Sequence, residues 1–201
     1  METYNFDHIV SLGYNCEIAN SILSQSMRDA AYPFDWNFSK MWKINETMRC
    51  RFSNFFLREN LTIARYTKNP SMEKDEGFTY VHNGAYANLQ NIIEYEKEKE
   101  KYDRRILRLI KLLDSGKPIL FVRLVYEDTI EEHLEFIKTI EEVYPNSVFR
   151  MVVICRGTNN LYIEHNKIDY VRGIKINRYC IGEYLRKHYK LPIYAAVKKE
   201  Y

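Results

Sequence analysis

The sequence predicts an α/β fold. It reads as a single layered domain over residues 1–201, with a largely parallel or mixed central sheet flanked by helices and a helical insertion after the first strand–helix unit. Three observations predict it. Residues 119–125 and 148–155 are near-continuous apolar runs, which mark strands covered on both faces. Between them, Ile130, Leu134, Ile137, Ile140 and Val143 recur at helical spacing. Near the start, a short β-branched run passes through a glycine turn into an amphipathic stretch. The two apolar runs are therefore expected to be adjacent, parallel and central, joined by a right-handed crossover through the intervening helix.

Taken in order, His8-Ile9-Val10-Ser11-Leu12 reads as a strand, Gly13-Tyr14-Asn15-Cys16 as a tight turn, and residues 17–27 as a helix. Tyr32-Pro33-Phe34-Asp35-Trp36 reads as a packed loop, because proline disfavours helix before it and aromatics flank a carboxylate. From 38 to 56 the apolar residues return every three or four positions, giving one or two short helices. With its flanks, 36–60 is expected as a cap over one end of the sheet, where α/β proteins place ligands. Residues 60–77 are polar, with room for a strand over 62–66, and 78–82 form a strand that ends in His82 before the Asn83-Gly84 turn. The longest helix signal covers 88–113, its stripe ringed by alternating Glu and Lys, and Ser115-Gly116-Lys117-Pro118 stops it. A second amphipathic helix covers 129–144 between the apolar strands. A weaker strand at 170–176, a helix at 181–188 and an apolar tail complete the chain.

Composition removes several function classes. Lys and Arg exceed Asp and Glu by only 30 to 27, with no basic stripe, so no nucleic-acid partner is expected. The first residues carry no basic or apolar leader, and no apolar run is long enough to span a bilayer. A cytoplasmic protein without a membrane partner is expected. The four cysteines, Cys16, Cys50, Cys155 and Cys180, are far apart and form no cluster with histidine at zinc spacing. Neither a metal nor a cofactor is called for, and reduced thiols fit the cytosol. The absence of phosphate-loop, Gly-x-Gly-x-x-Gly, Gly-x-Ser-x-Gly and His-Glu-x-x-His motifs argues against nucleotide hydrolysis and zinc proteolysis. The sequence is silent on oligomeric state.

Chemistry concentrates at Cys16, which follows a glycine turn and begins a helix. There the helix dipole and unpaired backbone N–H groups lower a thiol's pKa and pre-form an oxyanion site. The competing reading is a buried small residue whose turn Gly13 merely permits. His82, at a strand end, is the best placed of the histidines to serve as base. His133 and His188 lie in charged helices, His165 in a polar loop and His8 at the first strand, all reading as surface or cap residues. Asp35 is expected to accept backbone hydrogen bonds or to pair with a cation or imidazole. Arg123 can bind an anion or tie down Asp35, and Asp128 can orient a histidine or, on the favoured reading, cap the helix that follows. Cys16, His82 and Asp35 are expected to converge on one cleft.

The motifs Ser11-Leu12-Gly13-Tyr14-Asn15-Cys16 and Tyr32-Pro33-Phe34-Asp35-Trp36, followed by the strand 78–82, Arg104-Arg105 and Phe121-Val122-Arg123, resemble in order a family of papain-like cysteine peptidases. The resemblance covers most of the chain. It implies Cys16 as nucleophile and His82 as base, in the order papain-like enzymes share. The family pattern has an acidic residue beside the histidine where this chain has Asn83, so the orienting member stays open among Asn83, Asp35 and Asp128. Papain also sets its cysteine helix against an antiparallel sheet, whereas the pattern here is a strand before Cys16 and parallel units later.

The leading expectation is a thiol-dependent hydrolase acting on a peptide, another amide or a related acyl substrate. Catalytic roles fall to Cys16, His82 and Asp128. Oxyanion or substrate-binding roles fall to Gly13, Asn15, Asp35, Trp36 and Arg123. The alternatives are a glycan-binding or glycan-modifying accessory protein, with Asp35, Trp36 and Arg123 lining the pocket, and an inactive interaction module of the same fold.

Overall fold

Apolar β-branched residues at 8–11 form the first strand, β1 (His8–Ser11), and Asn15 caps the helix that follows it, α1 (Cys16–Ser24). A computed structural model describes residues 5–63, 72–75, 78–81, 92–125, 127–156 and 161–194. After α1 come β2 (Phe38–Ser39), α2 (Met41–Arg49), a 3-10 turn (Arg58–Asn60), β3 (Thr62–Ile63), β4 (Met72–Asp75), β5 (Phe78–Val81) and α3 (Ile92–Asp114). The chain continues through β6 (Pro118–Leu124), α4 (Ile130–Val143), β7 (Val148–Ile154), β8 (Ile168–Val171) and α5 (Arg178–His188).

The main sheet runs β1-β6-β7-β8 with every pair parallel. As the two apolar runs predict, β6 and β7 pair along their whole length, from Pro118 opposite Val148 to Leu124 opposite Ile154, with α4 between them in the chain. Their side chains alternate between faces, as strand geometry requires. Leu120, Val122, Leu124, Val152 and Ile154 pack with Ile18 and Ile22 of α1 and Ile181 and Leu185 of α5. Ile119, Phe121, Met151 and Val153 pack on the other face with α2, α3 and α4. The sheet thus sits between two helical layers, each burying its own apolar cluster. Gly182 lets α5 approach α1, since a Cβ there would meet the Gln25 side chain and the Ser21 carbonyl.

A second, antiparallel sheet runs β2-β5-β4-β3. The sequence predicts β5 and the start of β3 but not β2 or β4. Two residues show no periodicity, and Met72-Glu73-Lys74-Asp75 offers no apolar alternation. Within the segment expected as a cap, α2 lies along α4: Asn45 donates to the Glu132 carbonyl at 2.8 Å and Arg49 to Thr139 Oγ1 at 3.2 Å. Beside it, Phe34, Phe52, Phe55, Phe56 and Tyr102 form an aromatic cluster with edge and stacked contacts.

Candidate functional site

Cys16 is the first residue of α1 and is exposed. The turn before it has two consecutive residues in the left-handed region, Gly13 at φ 71° and Tyr14 at φ 73°, as has Arg51-Phe52 after α2. For tyrosine that conformation is costly and persists only where surrounding bonds enforce it. The enforcing bonds come from Ser39 of β2. Its Oγ accepts from the Tyr14 N–H at 2.9 Å, donates to the Leu12 carbonyl at 3.1 Å and meets Arg123 Nη1 at 3.1 Å. The Gly13 N–H is taken by Ser11 Oγ at 3.1 Å. Asn15 Oδ1 caps α1 by accepting from the Glu17 N–H at 2.9 Å.

Beneath the turn lies Arg123, 0% exposed near the end of β6. A guanidinium has five N–H donors, and here all are used. Nε and Nη2 hold Asp128 in a two-pronged pair at 2.7 Å each, Nη1 reaches the Leu12 carbonyl at 3.0 Å and Ser39 Oγ, and Nη2 also reaches the Ser39 carbonyl at 2.9 Å. Asp128 Oδ2 faces His133 Nε2 at 3.5 Å, and His133 Nδ1 faces the Tyr170 hydroxyl at 3.1 Å. One buried polar chain thus runs from Tyr170 through His133, Asp128, Arg123 and Ser39 to the turn that presents Cys16. Burial works to raise the Asp128 carboxyl, but the Arg123 and His133 hydrogen bonds and charges hold it below the usual carboxylate range. Burial, with Cys155 and Glu131 nearby, pushes Tyr170 up to about 12.

These positions correct four expectations. Arg123 neither faces a ligand nor ties down Asp35, because it is fully buried with every donor committed. Asp128 is not the helix cap. Thr129 is, in a reciprocal capping box with Glu132. His133 is not a surface histidine, since it is 0% exposed on the face of α4 that carries Phe136, Ile137 and Ile140. The Gly13 amide is spent on Ser11 and is not offered to an oxyanion.

Asp35 forms a separate buried pair. Its Oδ2 accepts from Arg28 Nη2 at 2.7 Å and from the Tyr32 N–H at 2.8 Å, and the Arg28 guanidinium lies 5.0 Å from the Trp36 ring centroid. Burial pushes the Asp35 carboxyl up, against the lowering pull of Arg28 and the Tyr32 amide. At 3% exposure Asp35 does not line a surface pocket, and Trp36, half-buried at φ 67°, is braced by Arg28. His82 and Asn83 lie outside the described residues; Val81, just before them, ends β5. His8 pairs with Asp29 at 2.6 Å, and His165 Nδ1 accepts from the Lys167 N–H at 3.1 Å.

Partial burial of the sulfur, and then the charge of Glu17, push the Cys16 thiol above the usual cysteine value, against smaller lowering contributions from its own N–H and from Asn20. Cys155 is buried at the end of β7, and Cys50 is hydrogen-bonded to Asn54 at 3.0 Å. Among the described residues no group of three or more His, Cys, Asp or Glu is placed to hold a metal ion, and no helix is long and apolar enough to cross a membrane.

Comparison with known proteins finds one curated relative, the "Uncharacterized protein R408" of Acanthamoeba polyphaga mimivirus. It is 27% identical over 133 residues, covering 57% of this chain and 60% of the relative. The chain therefore spans less than two thirds of that relative's length. No solved structure matches. Residues 7–157, a span that contains the Cys16 turn, Ser39, Arg123, Asp128 and His133, match the model of a family described as "Putative papain-like cysteine peptidase (DUF1796)", and the chain belongs to that family.

Proposed function

We propose that the protein is a cysteine-dependent hydrolase or acyl-transfer enzyme acting on an amide or related acyl substrate. Cys16 is the nucleophile and His82 the base. The observation that carries this reading is an exposed thiol at the first position of α1, presented by two consecutive left-handed residues that a buried Ser39–Arg123–Asp128 network holds in place. Costly backbone maintained by dedicated buried bonds is a feature of functional turns.

The thiol's raised pKa gives the base a definite task. Attack on the substrate carbonyl requires the Cys16 proton to pass to the His82 imidazole, before or as the C–S bond forms. The imidazolium then returns it to the departing amine, leaving a thioester that water cleaves. The membership of β5 in the antiparallel sheet supports His82 in this role, because that strand pairs with β2, whose Ser39 binds the Tyr14 amide. The Cys16 N–H and the Asn15 carboxamide NH2, the end not used in capping, are the oxyanion donors. With Asp35 and Asp128 each paired to a buried arginine, Asn83 is the remaining candidate to orient the imidazole, and Asp128 becomes a positioning residue for the turn.

Iodoacetamide labelling read by peptide mass spectrometry tests the dyad. At pH 7 Cys16 should react at least about tenfold faster than Cys180, and His82→Ala should remove that advantage while labelling at pH 10 stays unchanged. A Cys16 no more reactive than Cys180 at pH 7, or one indifferent to His82→Ala, would overturn the assignment.

A further inference from the structure

The turn that presents Cys16 carries a cation. Arg156 follows Cys155 just past the end of β7, at the same end of the parallel sheet as the Leu12-Gly13-Tyr14 turn that follows β1. Its guanidinium carbon lies 5.4 Å from the centroid of the Tyr14 ring, two residues before the nucleophile. Phe38 also meets the Tyr14 ring edge-on at 6.0 Å and is 38% exposed.

What separates Arg156 from its neighbours is its company. Arg28 is paired with Asp35, Arg123 with Asp128 and Arg150 with Asp169. Among the described residues Arg156 has no carboxylate within ion-pair distance, and it is only partly buried. A guanidinium over an aromatic ring is not consumed by that contact, and its planar fork of donors can still match a carboxylate in two-pronged fashion. Glu17, the residue after Cys16, repels anions, so an anionic substrate needs a compensating cation on the approach.

We propose that Arg156, held on Tyr14, is the specificity-determining residue beside Cys16 and selects acyl substrates bearing a carboxylate near the scissile bond. Phe38, edge-on to the Tyr14 ring, adds an exposed apolar surface at the same turn. This deepens the hydrolase reading and rests on it for the word substrate, but the binding preference is measurable without any turnover.

The test compares two alkylating reagents of equal length on the whole protein: iodoacetylglycine, which carries a carboxylate, and iodoacetylglycinamide, which does not. Rate constants are read at the Cys16 peptide. The anionic-to-neutral rate ratio should be roughly 1.5-fold to fivefold higher in the wild type than in Arg156→Gln, the range of one partly exposed ion pair. Arg156→Lys should retain part of it, and 0.5 M salt should erode it. With the cation gone, Glu17 should push the ratio below that of the uncharged thiol N-acetylcysteinamide. Circular dichroism melts identify any variant that fails to fold, and Arg156→Lys keeps the charge if the glutamine variant does not. An equal ratio in wild type and Arg156→Gln overturns the subsite even if Cys16 is highly reactive. Conversely, a slow Cys16 with the neutral reagent overturns the hydrolase reading while the ratio still decides the subsite. A Cys16 that takes up neither reagent overturns both.

Discussion

Replacing Gly13 by alanine puts a methyl group at a residue with φ 71°, where it would collide with Ser39 Oγ and come within 3.0 Å of the Phe34 carbonyl and 3.2 Å of the Asn37 carbonyl. The left-handed conformation alone costs alanine about 1–2 kcal/mol. Ser39 cannot swing aside freely, because its hydroxyl is bonded to Tyr14, Leu12 and Arg123 at once. Displacing it strands a backbone N–H and one guanidinium donor, at about 1–3 kcal/mol for each buried group left unpaired. Gly13→Ala should therefore cost at least about 3 kcal/mol. Ser39→Ala alone, which loses the same bonds without the added methyl, should cost at least about 2 kcal/mol. In the double variant the network is already broken and the nearest obstacle gone, so the alanine at 13 should add only its conformational cost and the closeness of the two carbonyls. Urea unfolding of the four proteins of the cycle, followed by circular dichroism, measures the coupling, which should approach 2 kcal/mol in favour of the double variant. Additivity within about 0.5 kcal/mol would refute the idea that Ser39 and Gly13 form one bracing unit.

Removing the charge of Asp128 should be worse than its modest surface exposure suggests: Asp128→Asn leaves the buried Arg123 without a counter-charge and should cost about 3–5 kcal/mol in urea unfolding. Because the Asp128 carboxyl is held below its unfolded value, its contribution is complete above the unfolded pKa and is lost as pH falls through the folded one. The stability gap between wild type and Asp128→Asn should thus be level from about pH 7 to 5 and close below about pH 4. Cys16→Ala should change stability by about 1 kcal/mol or less, since the residue is exposed, while abolishing any hydrolytic activity. By contrast, Asp35→Ala strands Arg28 and the Tyr32 amide and should lower stability by about 2–4 kcal/mol in the same thermal or urea scans.

What the sequence could announce was what repeats or what sits next door. The strands at 119–125 and 148–154 declared themselves through near-continuous apolar runs, and their parallel pairing followed from the helix between them. The Asn15 cap, the glycine turn and the start of α1 at Cys16 are local and were legible too. Thr129-Ile130-Glu131-Glu132 carries the spacing of a capping box, a signal that would have moved the cap from Asp128 to Thr129 and freed the carboxylate for Arg123. His133 was also within reach: with Phe136, Ile137 and Ile140 it completes a three-and-four spacing that places it on the buried stripe, despite glutamates at 131, 132 and 135. The partnership of Ser39 with Arg123, by contrast, joins residues 84 positions apart through a two-residue strand, and no local pattern encodes it.

That long-range joint explains how one chain combines a parallel α/β sheet with a papain-like order of residues. The cysteine helix α1 follows β1, an edge strand of the parallel sheet, whereas the strand leading to His82 belongs to the antiparallel sheet. Two sheets with separate hydrogen-bond ladders stay in register with each other only if something rigid couples them. Ser39 lies in the antiparallel sheet opposite Phe78 of β5, yet its hydroxyl and carbonyl are bonded to Arg123 of the parallel sheet and its hydroxyl also to the turn before Cys16. Arg123 is anchored in turn by Asp128, whose other neighbour, His133, is locked in α4 against Tyr170 of β8. Buried ion pairs add little net stability over apolar packing, but they penalise misalignment heavily, because a shifted partner leaves a charge unpaired in the interior. A five-donor arginine at this joint therefore suits positional accuracy better than stability, and positional accuracy is what the proposed pairing of Cys16 with His82 would require.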